Sequence, residues 1–133
     1  MTTKQKTRMY EQIVQHGNNL NNIFHTDIDP VTLCKKLHSL EMKAHKLATD
    51  YCNGENGITT DNWDKKTDPI LKAVKKILNV TDNFPIFVNG DARGYALKID
   101  DEYMRKCQHL AGYNRLHKDW GGYGILAPEF DGE

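Results

Sequence analysis

The chain is predicted to be α+β, with N-terminal helices packed on a small C-terminal antiparallel sheet. Three observations carry that expectation. Apolar residues recur at helical spacing up to about residue 80. After Asn79 the period drops to two, with Ile86 and Val88 alternating with Phe87 and Asn89, and Tyr95, Leu97 and Ile99 with Ala96 and Lys98. Between those runs lies Asn89-Gly90-Asp91-Ala92-Arg93-Gly94, a composition suited to the loop of a β-hairpin. Helices first and strands last is the order of an α+β domain rather than of alternating βαβ units.

With 133 residues, the chain is long enough for one domain with its own core. Residues 1–80 form the helical layer of this reading, and residues 81–133 a β-hairpin plus a third strand. The first helix is expected from about Thr3 to Gln15, with Met9, Ile13 and Leu20 inward. Gly17 and the cluster Asn18-Asn19-Leu20-Asn21-Asn22 disfavour its continuation, because both residue types are poor in helix interiors.

The second helix has the clearest boundaries. Asp29 is a natural N-cap, and Pro30 fits the first helical position, where a missing N–H costs nothing. Cys34, Leu37, Glu41, Ala44, Ala48 and Tyr51 keep helical spacing, with Leu33, Leu40 and Leu47 widening the stripe. Asn53-Gly54 supplies the stop. Thr59 or Thr60 is expected to cap a third helix carrying Trp63, Ile70, Val74, Ile77 and Leu78. Pro69 falls inside it, and either kinks it or begins a fresh helix capped by Asp68. A short helix is expected from Asp101 to Leu110, and a third strand from Tyr123 to Ala127, ended by Pro128.

Lys plus Arg and Asp plus Glu number 18 each, so the formal charge is zero and the pI about 7.0. A whole-molecule attraction to nucleic acid or to an acidic membrane surface is therefore not expected. The sequence has no apolar run of membrane-spanning length and no signal-peptide core, which points to a cytoplasmic protein with no membrane partner. Cys34, Cys52 and Cys107 form no CxxC pair. Cys34 and Cys52, about 27 Å apart along one helix, cannot bond to each other; reduced thiols are expected, as small core or half-buried residues rather than nucleophiles.

Two turns gather candidate binding groups. In the hairpin loop, Asp91 and Arg93 could bind an anionic ligand, Arg93 in two-point fashion on phosphate or carboxylate; the plain alternative is a turn former with an exposed neighbour. The second turn holds His117, Asp119, Trp120, Gly121, Gly122, Tyr123 and Gly124. His117 suits proton transfer or metal ligation, Trp120 and Tyr123 offer faces for stacking, and the glycines let backbone N–H groups converge on an anion. The competing reading is a tight turn packed by a structural Trp. The two turns reinforce each other if the sheet brings them together.

A third cluster lies on the second helix, where His38, Glu41 and His45 stand at i, i+3 and i+7. The two histidines are about 10 Å apart along the axis, too far to share one metal. Glu41 and one His would need His117 or Asp119 to complete a divalent-metal site. Lys72, Lys75 and Lys76 read as the wet face of the third helix.

The runs Leu37 to Gly54, Gly90 to Ile99 and Asp119 to Pro128 resemble small uncharacterised proteins of phage and prophage genomes. The likeness covers the greater part of the chain. It implies a bacterial cytoplasm and a class of short proteins that bind host machinery, nucleotides or nucleic acid, and it carries no activity or cofactor. The expected function is non-enzymatic: a nucleotide or nucleic-acid phosphate and base held at the sheet-end loops. The alternatives are a metal-dependent hydrolase and a protein-interaction module acting on a host enzyme. Oligomeric state is not legible in the sequence.

Overall fold

A computed structural model describes residues 2–91, 96–100, 118–119 and 122–124; for Met9, Ile23 and the last two segments only the backbone is described. The expected architecture is present. Three helices, α1 (Thr3–Phe24), α2 (Pro30–Asn53) and α3 (Trp63–Leu78), precede an antiparallel sheet of β1 (Ile86–Val88), β2 (Leu97–Asp100), β3 (Lys118–Asp119) and β4 (Gly122–Gly124). No helix among the described residues is long and apolar enough to cross a membrane. The segment expected as a helix from Asp101 to Leu110 lies outside the described residues, as do Cys107 and the end of the strand expected to reach Ala127.

Helix α1 opens on a reciprocal cap. The Gln5 N–H donates to Thr2 Oγ1 at 3.1 Å, and the Thr2 N–H donates to Gln5 Oε1 at 2.8 Å. The helix does not stop at Gln15; it runs through Gly17 and the asparagines to Phe24. Leu20 and Phe24 are buried in the core, which outweighs the unfavourable propensities: about 1 kcal/mol for Gly and less for each Asn, against roughly 1.5–3 kcal/mol per large apolar side chain. Gly17 is also required sterically, since a Cβ there would lie 2.5 Å from the Pro30 carbonyl oxygen and 2.7 Å from its Cα. Asn21 does a turn's work from inside the helix. Its Nδ2 donates to the Ile28 carbonyl at 2.7 Å, and its Oδ1 accepts from the Thr26 hydroxyl.

Helix α2 keeps its expected boundaries. The Asp29 carboxylate accepts from the Thr32 N–H and hydroxyl, both at 3.0 Å, and Gly54 closes the helix in the left-handed region at φ 65°. Leu33, Leu37, Ala44 and Ala48 are fully buried on the expected stripe. The Cys34 thiol donates to the Ile13 carbonyl of α1 at 3.5 Å.

Helix α3 departs from expectation at its start. Asn62, not Thr59 or Thr60, is the N-cap residue, and its side chain makes no capping bond to the helix. Instead Asn62 and Thr59 bond each other, and Asn62 Nδ2 donates to the Gly57 carbonyl at 2.7 Å. The helix continues unbroken through Pro69, with no restart at Asp68. The carbonyl deprived of its donor belongs to exposed Lys65, while Thr67, Ile70, Val74 and Leu78 bury one face on both sides of the proline.

Strands β1 and β2 pair with Ile86 opposite Ile99 and Val88 opposite Leu97, so these four apolar side chains share the buried face. Phe24 meets Phe84 edge-on at 5.5 Å between ring centroids, joining α1 to the approach to β1. Among the described residues the sheet holds four strands, where three were expected, in the order β1-β2-β4-β3. The extra strand arises because Lys118 and Asp119 pair with Tyr123 and Gly122, turning the second glycine-rich segment into a small hairpin of its own.

Replacing Gly17 by Ala should destabilise the protein by about 1–3 kcal/mol in chemical denaturation, although Ala is the better helix former, because the new methyl overpacks Pro30. A stabilised variant would show that α1 and α2 can separate at no cost. Asp29 gives a pH test. The Thr32 N–H and hydroxyl hold its carboxyl below its ordinary value of 3.8, so its contribution is present above that pH and fades as pH falls through the lowered value. The stability gap between wild type and Asp29→Ala should therefore be full at neutral pH and shrink below about pH 4. A gap independent of pH would rule out the charged cap.

Candidate functional site at the hairpin end of the sheet

Strand register decides which candidate groups can meet. Strand β2 leaves the hairpin loop at Ala96 and ends at Asp100, whose N–H donates to the Pro85 carbonyl at 2.9 Å. Strand β4 begins at Gly122, directly opposite Asp100, and runs back towards Lys98. The turn between β3 and β4 therefore lies at the opposite end of the sheet from the loop of residues 89–96. Four residue steps separate the two ends, about 13 Å along β2. Asp91 is not brought beside Asp119, Gly122 or Tyr123, and the two turns do not form one site. Arg93, His117, Trp120 and Gly121 lie outside the described residues, as do the side chains of Asp119 and Tyr123.

At the hairpin end, the loop rests on an aromatic pair that the sequence reading assigned to helix packing. Tyr51 occupies the last turn of α2 and Trp63 the first position of α3. The intervening loop bends through left-handed Gly54, Asn56 and Gly57, and the Thr59–Asn62 bonds brace it. This folds the two rings together, with centroids 5.1 Å apart and planes 39° apart. The Tyr51 hydroxyl and the Thr60 hydroxyl share a hydrogen bond of 3.0 Å. Gly90 sits over the pair: a Cβ there would lie 3.6 Å from the Tyr51 ring and 3.8 Å from the Trp63 ring. Tyr51 remains 36% exposed, so part of its ring is open to a ligand.

The loop is held on three sides. The Cys52 thiol donates to the Gly90 carbonyl at 3.1 Å; this cysteine is exposed rather than half-buried. The Asn89 side chain exchanges bonds of 3.4 Å with the Asp91 backbone, and the Asn89 N–H donates to the Ala96 carbonyl at 2.7 Å. The third tether is Glu41. Its carboxylate, only 2% exposed, accepts the Ala96 N–H on Oε2 at 2.6 Å and the Leu97 N–H on Oε1 at 3.0 Å.

That geometry gives Glu41 a structural task. Both oxygens of the would-be metal ligand face backbone amides at the entry to β2, so a divalent ion would have to compete with those two donors. His38 and His45 flank it half-buried on α2. Among the described residues no group of three or more His, Cys, Asp or Glu side chains is placed to hold a metal. The signal for Glu41 was present in the sequence: a carboxylate sitting on an otherwise apolar stripe. The signal for Tyr51 and Trp63 was weaker, being two aromatics on either side of a glycine-bearing helix stop.

Family models, curated proteins and solved structures provide no match to this chain.

Glu41→Gln preserves size but turns an amide NH2 towards one of two N–H donors. It should cost about 1–3 kcal/mol of stability. Hydrogen exchange of the Ala96 and Leu97 amides should accelerate before that of the α2 core. Unchanged protection at both amides would remove Glu41 from this role.

Proposed function

We propose that the chain is a non-enzymatic binding protein for a nucleotide or a nucleic-acid phosphate and base, held at the hairpin end of the sheet. The single observation carrying this reading is the seating of Gly90 on the partly exposed Tyr51–Trp63 pair. A planar base needs a flat aromatic face, and base–aromatic stacking contributes roughly 1–3 kcal/mol per base without demanding a sequence. The phosphate needs a cation within a few ångströms of that face, and Arg93, three residues beyond Gly90 in the same loop, is suited to two-point contact with it. In this reading Tyr51 takes the stacking role expected of Trp120, because the strand register sets the β3–β4 turn at the far end of the sheet. No catalytic group is assigned. The resemblance to phage and prophage proteins supports a bacterial cytoplasm as the setting and leaves a host protein among its partners.

The test is titration of a fluorescein-labelled oligo-dT strand and, separately, of ATP, followed by anisotropy and calorimetry. Tyr51→Ala should weaken binding about tenfold, in line with the loss of one stacking face. Arg93→Ala should weaken it further and lower the salt dependence. Trp120→Ala, outside the proposed site, should leave affinity unchanged. Wild-type affinity in the Tyr51→Ala/Arg93→Ala double variant overturns the reading, and a loss confined to Trp120→Ala moves the ligand to the β3–β4 turn.

A further inference from the structure

A second surface, remote from the hairpin end, has the chemistry of a docking groove. Between α2, α3 and the loop joining α1 to α2 runs an open trough of about 400 Å³, lined by Ile28, Lys36, Ala73, Lys76 and Ile77. Ile28, Ala73 and Ile77 are partly buried residues packed on the outside of the core, so the floor is apolar and still in reach of solvent. Lys36 rises from one wall and Lys76 from the other. Both are exposed, and no carboxylate lines the trough.

The neighbouring lysines are already engaged. Lys72 pairs with Asp68 at 3.0 Å, and Lys75 Nζ donates to the Asp82 carbonyl at 2.8 Å. Lys36 and Lys76 have no ion pair among the described residues. The basic run on α3 is therefore more than a uniform wet face. Two of its members are tied to their own helix or its following loop, and the third is left to flank an apolar floor opposite a lysine of α2. A charge on each side and a greasy bottom is a complementary image of an amphipathic element with carboxylates on both flanks.

We propose that this groove docks an acidic amphipathic helix of a partner protein, its apolar stripe on Ile28, Ala73 and Ile77 and its flanking carboxylates against Lys36 and Lys76. The trough is open to solvent, and an amphipathic element presenting apolar residues at i, i+3 or i+4 and i+7 would cover its apolar floor. A compact small molecule would be left mostly uncovered there, whereas small-molecule sites bury most of their ligand. The lysines set polarity and choice of partner more than raw affinity, since rim charges act mainly through complementarity and repulsion.

The experiment uses the full chain and two designed helical peptides of one length: one with leucines at i, i+3, i+4 and i+7 flanked by glutamates, and one with lysines in place of the glutamates. A scrambled-order glutamate peptide serves as control. The glutamate helix should bind, and the scrambled and lysine peptides should not. Lys36→Glu/Lys76→Glu should weaken the glutamate helix at least about tenfold and gain affinity for the lysine helix. Both residues are exposed, so the double variant should keep its circular dichroism and melting temperature. Several results overturn the proposal: no binding of the glutamate helix, equal binding of the scrambled peptide, or indifference to the charge reversal. Displacement of the peptide by laurate with tighter binding of laurate itself would reassign the groove to a fatty-acid carboxylate. A dimer in sedimentation that the charge reversal dissolves would reassign it to a second copy of the chain.

Discussion

The bond from the buried Glu41 carboxylate to the Ala96 and Leu97 amides is the joint on which the arrangement of helices and sheet depends. A short strand such as β2 has little of its own to fix where it enters the sheet. A carboxylate that accepts two consecutive N–H groups sets that point to within a hydrogen bond's tolerance. The arrangement is costly in isolation, because a charge this deeply buried is tolerated only when its lone pairs are occupied. The two backbone donors offset part of that cost. With β2 so placed, Leu97 and Ile99 fall on the core face opposite Val88 and Ile86, and the hairpin loop falls over the C-terminal turn of α2.

Much of this was legible in the sequence, for identifiable reasons. Helix α2 could be bounded to the residue because its signals are local: Asp29 caps, Pro30 begins, Gly54 ends. The hairpin was legible because period two and the loop composition agree. The misses have more than one cause. Gly17 reads as a breaker on propensity alone, and only the approach of Pro30, thirteen residues on, makes it a necessity. Pro69 reads as a kink or a fresh start, and only the fresh start is ruled out, because apolar burial continues on both sides of it. The pairing of Lys118 and Asp119 with Tyr123 and Gly122 could not be foreseen, since two-residue strands leave no periodicity.

The candidate site divides in the same way. The sequence nominated Asp91 and Arg93 as loop residues, but not the aromatic pair beneath Gly90. Tyr51 looked like one more member of an apolar stripe, and Trp63 like the first core residue of the next helix. Their convergence depends on the left-handed turn of residues 54–57, which brings the end of α2 and the start of α3 side by side. Conversely, β4 begins at Gly122 opposite Asp100, at the end of β2 away from the hairpin loop. Composition can nominate aromatic and cationic partners, but antiparallel register determines whether they share an end.

Helix α2 also sets the distance between the two proposed binding surfaces. Lys36 stands near its beginning and Tyr51 near its end, fifteen residues apart, or about 22 Å along a rigid axis. That exceeds the Debye length at physiological salt, about 8 Å, so charge introduced at one surface is largely screened from the other. The core between them is a single packed cluster in which Leu33, Leu37 and Ala44 of α2 are fully buried, and a packed core resists the small shifts that would link the ends. Glu41 lies between the two surfaces and faces the sheet, so a ligand on either end could be felt at the other only by disturbing the one joint that positions the hairpin. The geometry thus favours independence of the two proposed surfaces, with α2 as the spacer between them.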